Sequence, residues 1–119
     1  MEPLPRWIKP KNDKGKANVP YLLFETIFRL ANRIALEKGL DPSNDLDKVW
    51  APIEEKGGLD EFRNRLPREL RARFSDDATL RKSISKYLKA VEHFLLFEVR
   101  GKSVRMTLRA IMLGQAIFK

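Results

Sequence analysis

The chain has 119 residues, enough for one domain with a modest core, and carries a net charge of +8. It contains no cysteine and one histidine, which excludes a disulfide framework and a thiolate metal site and argues against a histidine metal cluster. No apolar run reaches transmembrane length and the N-terminus lacks a signal-peptide hydrophobic region, so we expect a cytoplasmic protein without membrane contact.

The excess positive charge lies in the second half of the chain. Residues 1–60 hold ten Lys and Arg against ten Asp and Glu, whereas residues 61–119 hold fourteen against six. Such a field attracts polyanions, with nucleic acid as the first expectation and an acidic protein or anionic membrane behind it. A basic surface that serves only solubility is the alternative.

Residues 1–18 are predicted to be a flexible basic tail ahead of a single domain that spans residues 19–119. The tail contains three prolines and few large apolar residues. Trp7 is suited to stack on a base or to anchor the tail to the domain. Four lysines are placed to follow a phosphate backbone: Lys9, Lys11, Lys14 and Lys16.

A long helix is predicted over residues 20–38, with Pro20 in its first turn and Gly39 after its end. It is apolar on more than one side, so it is either central to the core or shared with a second subunit. We expect the core, and keep as the alternative a homodimer through this helix and the C-terminal segment. The apolar residues are Tyr21, Leu23, Phe24, Ile27, Phe28, Leu30, Ala31, Ile34 and Ala35.

The cluster DPSNDLD at residues 41–47 predicts turns and helix caps rather than a calcium loop, because the required spacing is missing. A short helix is predicted over residues 46–56, where Val49, Trp50 and Ile53 recur at helical spacing, and Gly57-Gly58 is expected to end it.

Residues 59–74 are predicted to be helical with a break at Pro67, which disfavours helix at Leu66. Apolar residues recur at every fourth position through the break: Phe62, Leu66, Leu70 and Phe74. Five arginines occupy the remaining surface, either to contact phosphates or to remain in solvent: Arg63, Arg65, Arg68, Arg71 and Arg73.

Residues 75–108 predict a capped helix followed by a hairpin. Ser75, Asp76 and Asp77 are candidates for the N-cap of a helix over residues 79–93. One face of this helix is apolar and the opposite face is basic. The apolar stripe comprises Leu80, Ile84, Tyr87, Leu88, Val91 and Leu95.

The hairpin is predicted from LLFEVR at residues 95–100 and SVRMTL at residues 103–108. Gly101-Lys102 between them suits a two-residue loop with positive φ at the glycine. The second strand has one dry face and one basic face: Val104, Met106 and Leu108 alternate with Arg105, Thr107 and Arg109.

The C-terminal residues 110–119 are apolar enough to be buried. We expect a short terminal helix that packs on the first helix of the same chain or of a partner.

Three segments of the second half resemble the winged helix-turn-helix domain of prokaryotic repressors. These are SISKYLKAVE at 83–92, LLFEVR at 95–100 and VRMTL at 104–108, with Gly114 beyond. In the arsenic-responsive and multiple-antibiotic-resistance types, a serine-rich recognition helix continues into an apolar turn, a wing strand, a basic wing tip, a second strand and a downstream glycine. The resemblance covers about residues 70–117. It departs at Phe94, where the family commonly has glycine, and in the order Thr107-Leu108.

The resemblance implies a mainly α fold with a small β-hairpin, a winged helix-turn-helix with an additional N-terminal helix and a basic tail. It also implies a DNA-binding protein, a transcriptional regulator or a replication or partition accessory factor of the prokaryotic nucleoid. The basic helix face independently favours DNA, because its donors suit phosphates and major-groove base edges.

The expected interface places the helix over residues 79–93 in the major groove, with the base contacts expected from Thr79, Lys82, Ser83 and Lys86. The hairpin tip is expected beside the minor groove or the backbone. The candidate DNA-binding residues are Thr79, Arg81, Lys82, Ser83, Ser85, Lys86 and Lys89 on the helix, Arg100, Lys102 and Arg105 on the hairpin, and Arg68 and Arg71 before them.

We expect no enzyme activity, catalytic residue, metal or cofactor. The sequence has no Gly-rich phosphate loop, metal-ligand cluster or nucleophile elbow. His93 follows Glu92, but adjacent helical positions point apart, so we interpret it as a helix-end residue. Glu54 and Glu55 are interpreted as surface residues.

The alternative function is that of a small basic helical RNA-binding subunit of a ribonucleoprotein, such as a CRISPR interference complex. The run at residues 87–91, with Gly101-Lys102 downstream, resembles the closing helix of small subunits in those complexes. That alternative requires residues 95–107 to be helical, against the period-two alternation seen there.

Overall fold

A computed structural model describes residues 9–92 and 95–118 of the chain. The expectations for residues 1–8, including Trp7, and those for His93, Phe94 and Lys119 lie outside these residues. Within the described part, the prediction of a mainly α fold with a small hairpin is confirmed. Its elements are α1 (Val19–Glu37), α2 (Lys56–Arg65), α3 (Arg68–Arg73), α4 (Asp77–Glu92), β1 (Phe97–Arg100), β2 (Ser103–Met106) and α5 (Leu108–Ile117). None of these helices is long and apolar enough to cross a membrane.

Residues 9–18, the described part of the expected tail, form a hydrogen-bonded turn before α1. Lys11 and Ala17 make an antiparallel bridge, and the Asn12 side chain accepts hydrogen bonds from the backbone N–H groups of Lys14 and Lys16 at 2.9 and 3.0 Å. The lysines of this turn are exposed.

Helix α1 is the centre of the core, as predicted. Buried side chains lie on most of its circumference, and it contacts α2, α4 and α5. The helix ends where Gly39 adopts a φ of 71°, and the N–H of Leu40 donates to the carbonyl of Ala35 at 2.8 Å. This is the Schellman arrangement that glycine favours at a helix C-terminus. The exposed large apolar side chain at this end is Leu36.

The prediction of a helix over residues 46–56 is wrong. Only Leu46–Lys48 forms a short 3₁₀ helix, and the chain then runs extended to Ala51, which pairs with Val104 of β2 through N–H to carbonyl bonds of 2.7 and 2.8 Å. Pro52 has no N–H to offer a helix. The pairing with β2 is therefore the better solution for the backbone, and it places a third extended segment beside the hairpin.

Gly57-Gly58 was expected to end a helix. Instead, it lies in the first turn of α2. A Cβ on Gly58 would lie 2.5 Å from the carbonyl oxygen of Pro52 and 2.7 Å from the Cα of Ile53. Glycine at this position therefore allows α2 to approach the extended segment closely.

The predicted break at Pro67 is confirmed. Helix α2 ends at Arg65, Leu66 is extended with φ −73° and ψ 144°, and α3 begins after Pro67. Phe62 and Leu66 before the proline are buried, and Leu70 and Phe74 after it are partly buried against the core, so the apolar seam continues across the break.

Helix α4 begins two residues before the predicted start. The Asp76 carboxylate accepts hydrogen bonds from the N–H and hydroxyl of Thr79 at 3.0 and 2.9 Å, as an N-cap does. The buried side chains are Leu80, Ile84, Leu88 and Val91. Leu95, expected on this stripe, is instead exposed in a turn with φ 58°.

The predicted hairpin is confirmed, with Gly101 at φ 58° in its turn. Phe97 pairs with Met106 and Val99 with Val104. The helix required at residues 95–107 by the ribonucleoprotein alternative is therefore not present. Strand β2 ends at Met106, because the Thr107 hydroxyl accepts from the N–H of Ala110 at 3.3 Å and caps α5. Leu108, expected on the dry face of the strand, is exposed on that helix.

Helix α5 packs on α1, as predicted for the C-terminal segment. Phe118 lies with its ring centre 5.3 to 5.5 Å from those of Tyr21, Phe24 and Phe28. Gly114 sits against Phe28, where a Cβ would lie 2.3 Å from a ring carbon.

Candidate nucleic-acid interface

The exposed face of α4 carries three lysines. Because the inward side chains of α4 fill the core, Lys82, Lys86 and Lys89 point to solvent on the opposite side. At about 100° per residue they fall within about 60° of one another around the helix axis. No carboxylate in residues 9–92 or 95–118 makes an ion pair with them. Their charge therefore stays available to an external anion.

Residues on one flank of this face are hydrogen-bonded to Glu54. The Arg81 Nε donates to the Glu54 carbonyl at 3.1 Å, and the Ser85 hydroxyl donates to the Glu54 carboxylate at 3.1 Å. The Glu54 N–H in turn donates to the carbonyl of Lys102 in the hairpin turn at 3.2 Å. Glu54 thus connects α4 with the hairpin, a role hidden from sequence reasoning because its partners are 27 to 48 positions away.

A small cleft of about 150 Å³ separates α4 from β1. It is lined by both signs of charge, since Lys89 and two glutamates border it, and it has one apolar wall, since Val99 is 48% exposed. The lining residues are Glu54, Ser85, Leu88, Lys89, Glu92 and Val99.

Two further predicted residues lie on the other flank of α4. Thr79 is exposed, and its hydroxyl group donates a hydrogen bond to Asp76. The hydroxyl oxygen of Thr79 can therefore still accept a hydrogen bond. The hydrogen bonds from the Thr79 hydroxyl and N–H lower the pKa of Asp76 below its ordinary value. Ser83 is half-buried.

The three predicted hairpin residues differ in their surroundings. Lys102 is exposed in the turn. Arg100 lies with its guanidinium carbon 4.4 Å from the ring centre of Trp50, and Arg105 lies 4.8 Å from the same centre while it ion-pairs with Glu98. Trp50 was missed as a site residue because the expected helix over residues 46–56 placed it away from the hairpin.

Helix α3 presents Arg68 and Arg71 on its exposed surface, without an ion-pair partner among the residues that the structure describes. Arg63 and Arg65 of α2 behave differently. Arg63 pairs with Asp60 and with Asp77 of α4, and Arg65 pairs with Glu25 and Glu61, so both tie helices together.

The structure thus brings α4 and the hairpin turn together through Glu54, and joins α2 to α4 through Arg63. No group of three or more carboxylate, histidine or cysteine side chains in the described ranges is placed to hold a metal ion. No protein-family model, curated protein or solved structure matches this chain.

Proposed function

We propose that the protein binds duplex DNA as a winged helix-turn-helix protein, in the role of a transcriptional regulator or of a replication or partition accessory factor. The observation that carries this proposal is the outer face of α4, whose three lysines make no ion pair with any residue that the structure describes. An α-helix fits the major groove, and lysines on its outer face neutralise phosphates or donate to base edges.

The arrangement after α4 supports the same proposal. A turn, β1, a basic tip at Gly101-Lys102, β2 and a downstream Gly114 follow the helix in the order expected of a recognition helix and its wing. The hydrogen bonds of Glu54 fix the tip relative to α4, so that both can meet one duplex without prior rearrangement.

In this proposal the residues have different roles. Lys82 and Lys86 make the central contacts to the duplex, and Thr79 and Ser83 lie beside them for base edges. Arg81 and Ser85 serve chiefly to hold the helix against Glu54. Further contacts to the DNA backbone are expected from Lys89, Lys102, Arg68 and Arg71.

The test is the double variant Lys82→Ala/Lys86→Ala, measured by fluorescence anisotropy on a labelled duplex at several salt concentrations. We expect affinity to fall by roughly tenfold or more, and the slope of log K against log salt to flatten by about 1.8, because two phosphate-neutralising charges are lost. The matched control is Lys38→Ala/Lys56→Ala, which also removes two exposed lysines that make no ion pair with a described residue, but leaves α4 intact.

The control variant should lose much less affinity than the α4 variant. Equal losses in the two variants would show that only net charge matters, and unchanged binding by the α4 variant would remove the groove assignment.

A further inference from the structure

The outward face of the hairpin holds two arginines against one aromatic ring. Ala51 bridges to Val104, so Trp50 lies next to Arg105, and Arg105 lies opposite Glu98 in the register. Arg100 comes from β1, and its guanidinium carbon is 4.4 Å from the ring centre of Trp50. Both distances are within the range of a cation–π interaction.

The cluster of Trp50, Arg100, Arg105 and Glu98 carries a net positive charge. Two guanidinium groups share the ring of Trp50, and the carboxylate within ion-pair distance, that of Glu98, contacts Arg105. Arg100 has no ion-pair partner in the part of the chain that the structure describes. Since like charges held close together repel, an anion that joins the cluster relieves this repulsion.

The geometry also selects the anion. The N–H donors of a guanidinium lie in its plane as a fork that matches two oxygens of a phosphate. Contact with the indole of Trp50 limits the freedom of Arg100 before any ligand arrives, so less entropy is lost on binding. Arg100 directly precedes the turn that Glu54 fastens to α4.

We infer that Trp50 positions Arg100 as a binding site for a backbone phosphate of the nucleic acid, separate from the lysine face of α4. This inference rests on the proposed function. Of the two positions expected for the hairpin tip, beside the minor groove or beside the backbone, it favours the backbone, because Arg105 is held by Glu98 and both guanidinium groups lie on Trp50.

A double-mutant cycle tests this inference with labelled duplex DNA. Arg100→Lys keeps the charge and loses the planar fork, whereas Trp50→Leu keeps an apolar side chain and loses the ring. We expect each to weaken binding by roughly fivefold with little change in salt slope, and the double variant to be no weaker than either. Trp50→Phe keeps an aromatic face and should restore most of the affinity.

Arg100→Ala is the charge control, and should flatten the salt slope by about 0.9 in addition to weakening binding. Thermal melting monitors folding of each variant. If Trp50→Leu does not fold, Trp50→Met takes its place in the cycle, because a long flexible apolar side chain fills the position without an aromatic face.

Wild-type affinity in Arg100→Lys, or fully additive losses in the cycle, would overturn the inference. Loss of binding in the α4 double variant together with unchanged binding in the Trp50 and Arg100 variants would refute this site alone. Absence of duplex binding by the wild-type protein would instead refute the proposed function.

Discussion

Gly58→Ala is expected to destabilise the protein, whereas the same change at the neighbouring Gly57 is expected to stabilise it. Both glycines lie in the first turn of α2, so alanine improves the helix propensity at each by up to about 1 kcal/mol. They differ in what the new methyl group meets. At Gly57 no atom of the described residues lies within 4 Å of the new methyl group, whereas at Gly58 the backbone of Pro52 and Ile53 is 2.5 to 2.8 Å away from it.

The size of the effect follows from the obstacle. Backbone atoms cannot rotate out of the way as a side chain can, and overpacking of this kind costs about 1–3 kcal/mol. After the full gain in helix propensity, we expect Gly58→Ala to lose up to about 2 kcal/mol of the free energy of unfolding, with a fall in Tm of roughly 4 °C per kcal/mol for a domain of this size.

Urea and thermal unfolding followed by circular dichroism would measure both variants against the wild type. The segment that the new methyl group would displace contains Ala51, which pairs with the hairpin, and leads to Glu54. Gly58→Ala should therefore also weaken DNA binding if the hairpin shifts with this segment. A Gly58→Ala protein as stable as Gly57→Ala would show that α2 does not press on the extended segment as the structure describes.

Two further predictions concern single carboxylates. Glu54→Gln keeps an acceptor for the Ser85 hydroxyl and removes a negative charge beside Lys89, so duplex affinity should rise by roughly threefold at unchanged Tm; weaker binding would contradict this. Because the pKa of Asp76 is lowered in the folded state, its stabilising contribution is present above its ordinary pKa and is lost as pH falls through the lowered value. Asp76→Asn should keep the cap to Thr79 and reduce the loss of Tm on acidification, whereas Asp76→Ala should lower Tm at neutral pH; identical acid profiles for Asp76→Asn and the wild type would refute this linkage.

Local signals were sufficient for much of the fold. Gly39 after an apolar helical run marked the end of α1, Pro67 marked the break between α2 and α3, and Gly101 marked the hairpin turn. In each case the backbone requirement of one residue type decides the structure, so neighbouring sequence carries the information.

The segment from Val49 to Ile53 shows where local signals fail. Its apolar spacing is compatible with a helix, but the structure is decided by pairing of Ala51 with Val104, a residue 53 positions later. Periodicity over a few residues does not reveal such a partner. Because this segment was predicted to be helical, Trp50 was not expected to lie next to Arg100 and Arg105.

The residues of the candidate site were predictable from the sequence, but their positions relative to one another were less so. The exposure of Lys82 and Lys86 follows from helical periodicity alone. That Arg81 and Ser85 turn to Glu54 depends on contacts between elements that the sequence does not order in space. The pairing of Arg105 with Glu98, by contrast, follows from the register that a two-residue loop at Gly101-Lys102 sets.

Binding to duplex DNA is best tested by titrating the wild-type protein against duplex DNA, single-stranded DNA and RNA of matched length at two salt concentrations. We expect the duplex to bind most tightly, with affinity that falls steeply as salt rises, since phosphate neutralisation supplies much of the binding free energy. Preference for RNA or single-stranded DNA, or absence of binding to all three, would contradict the proposed binding to duplex DNA.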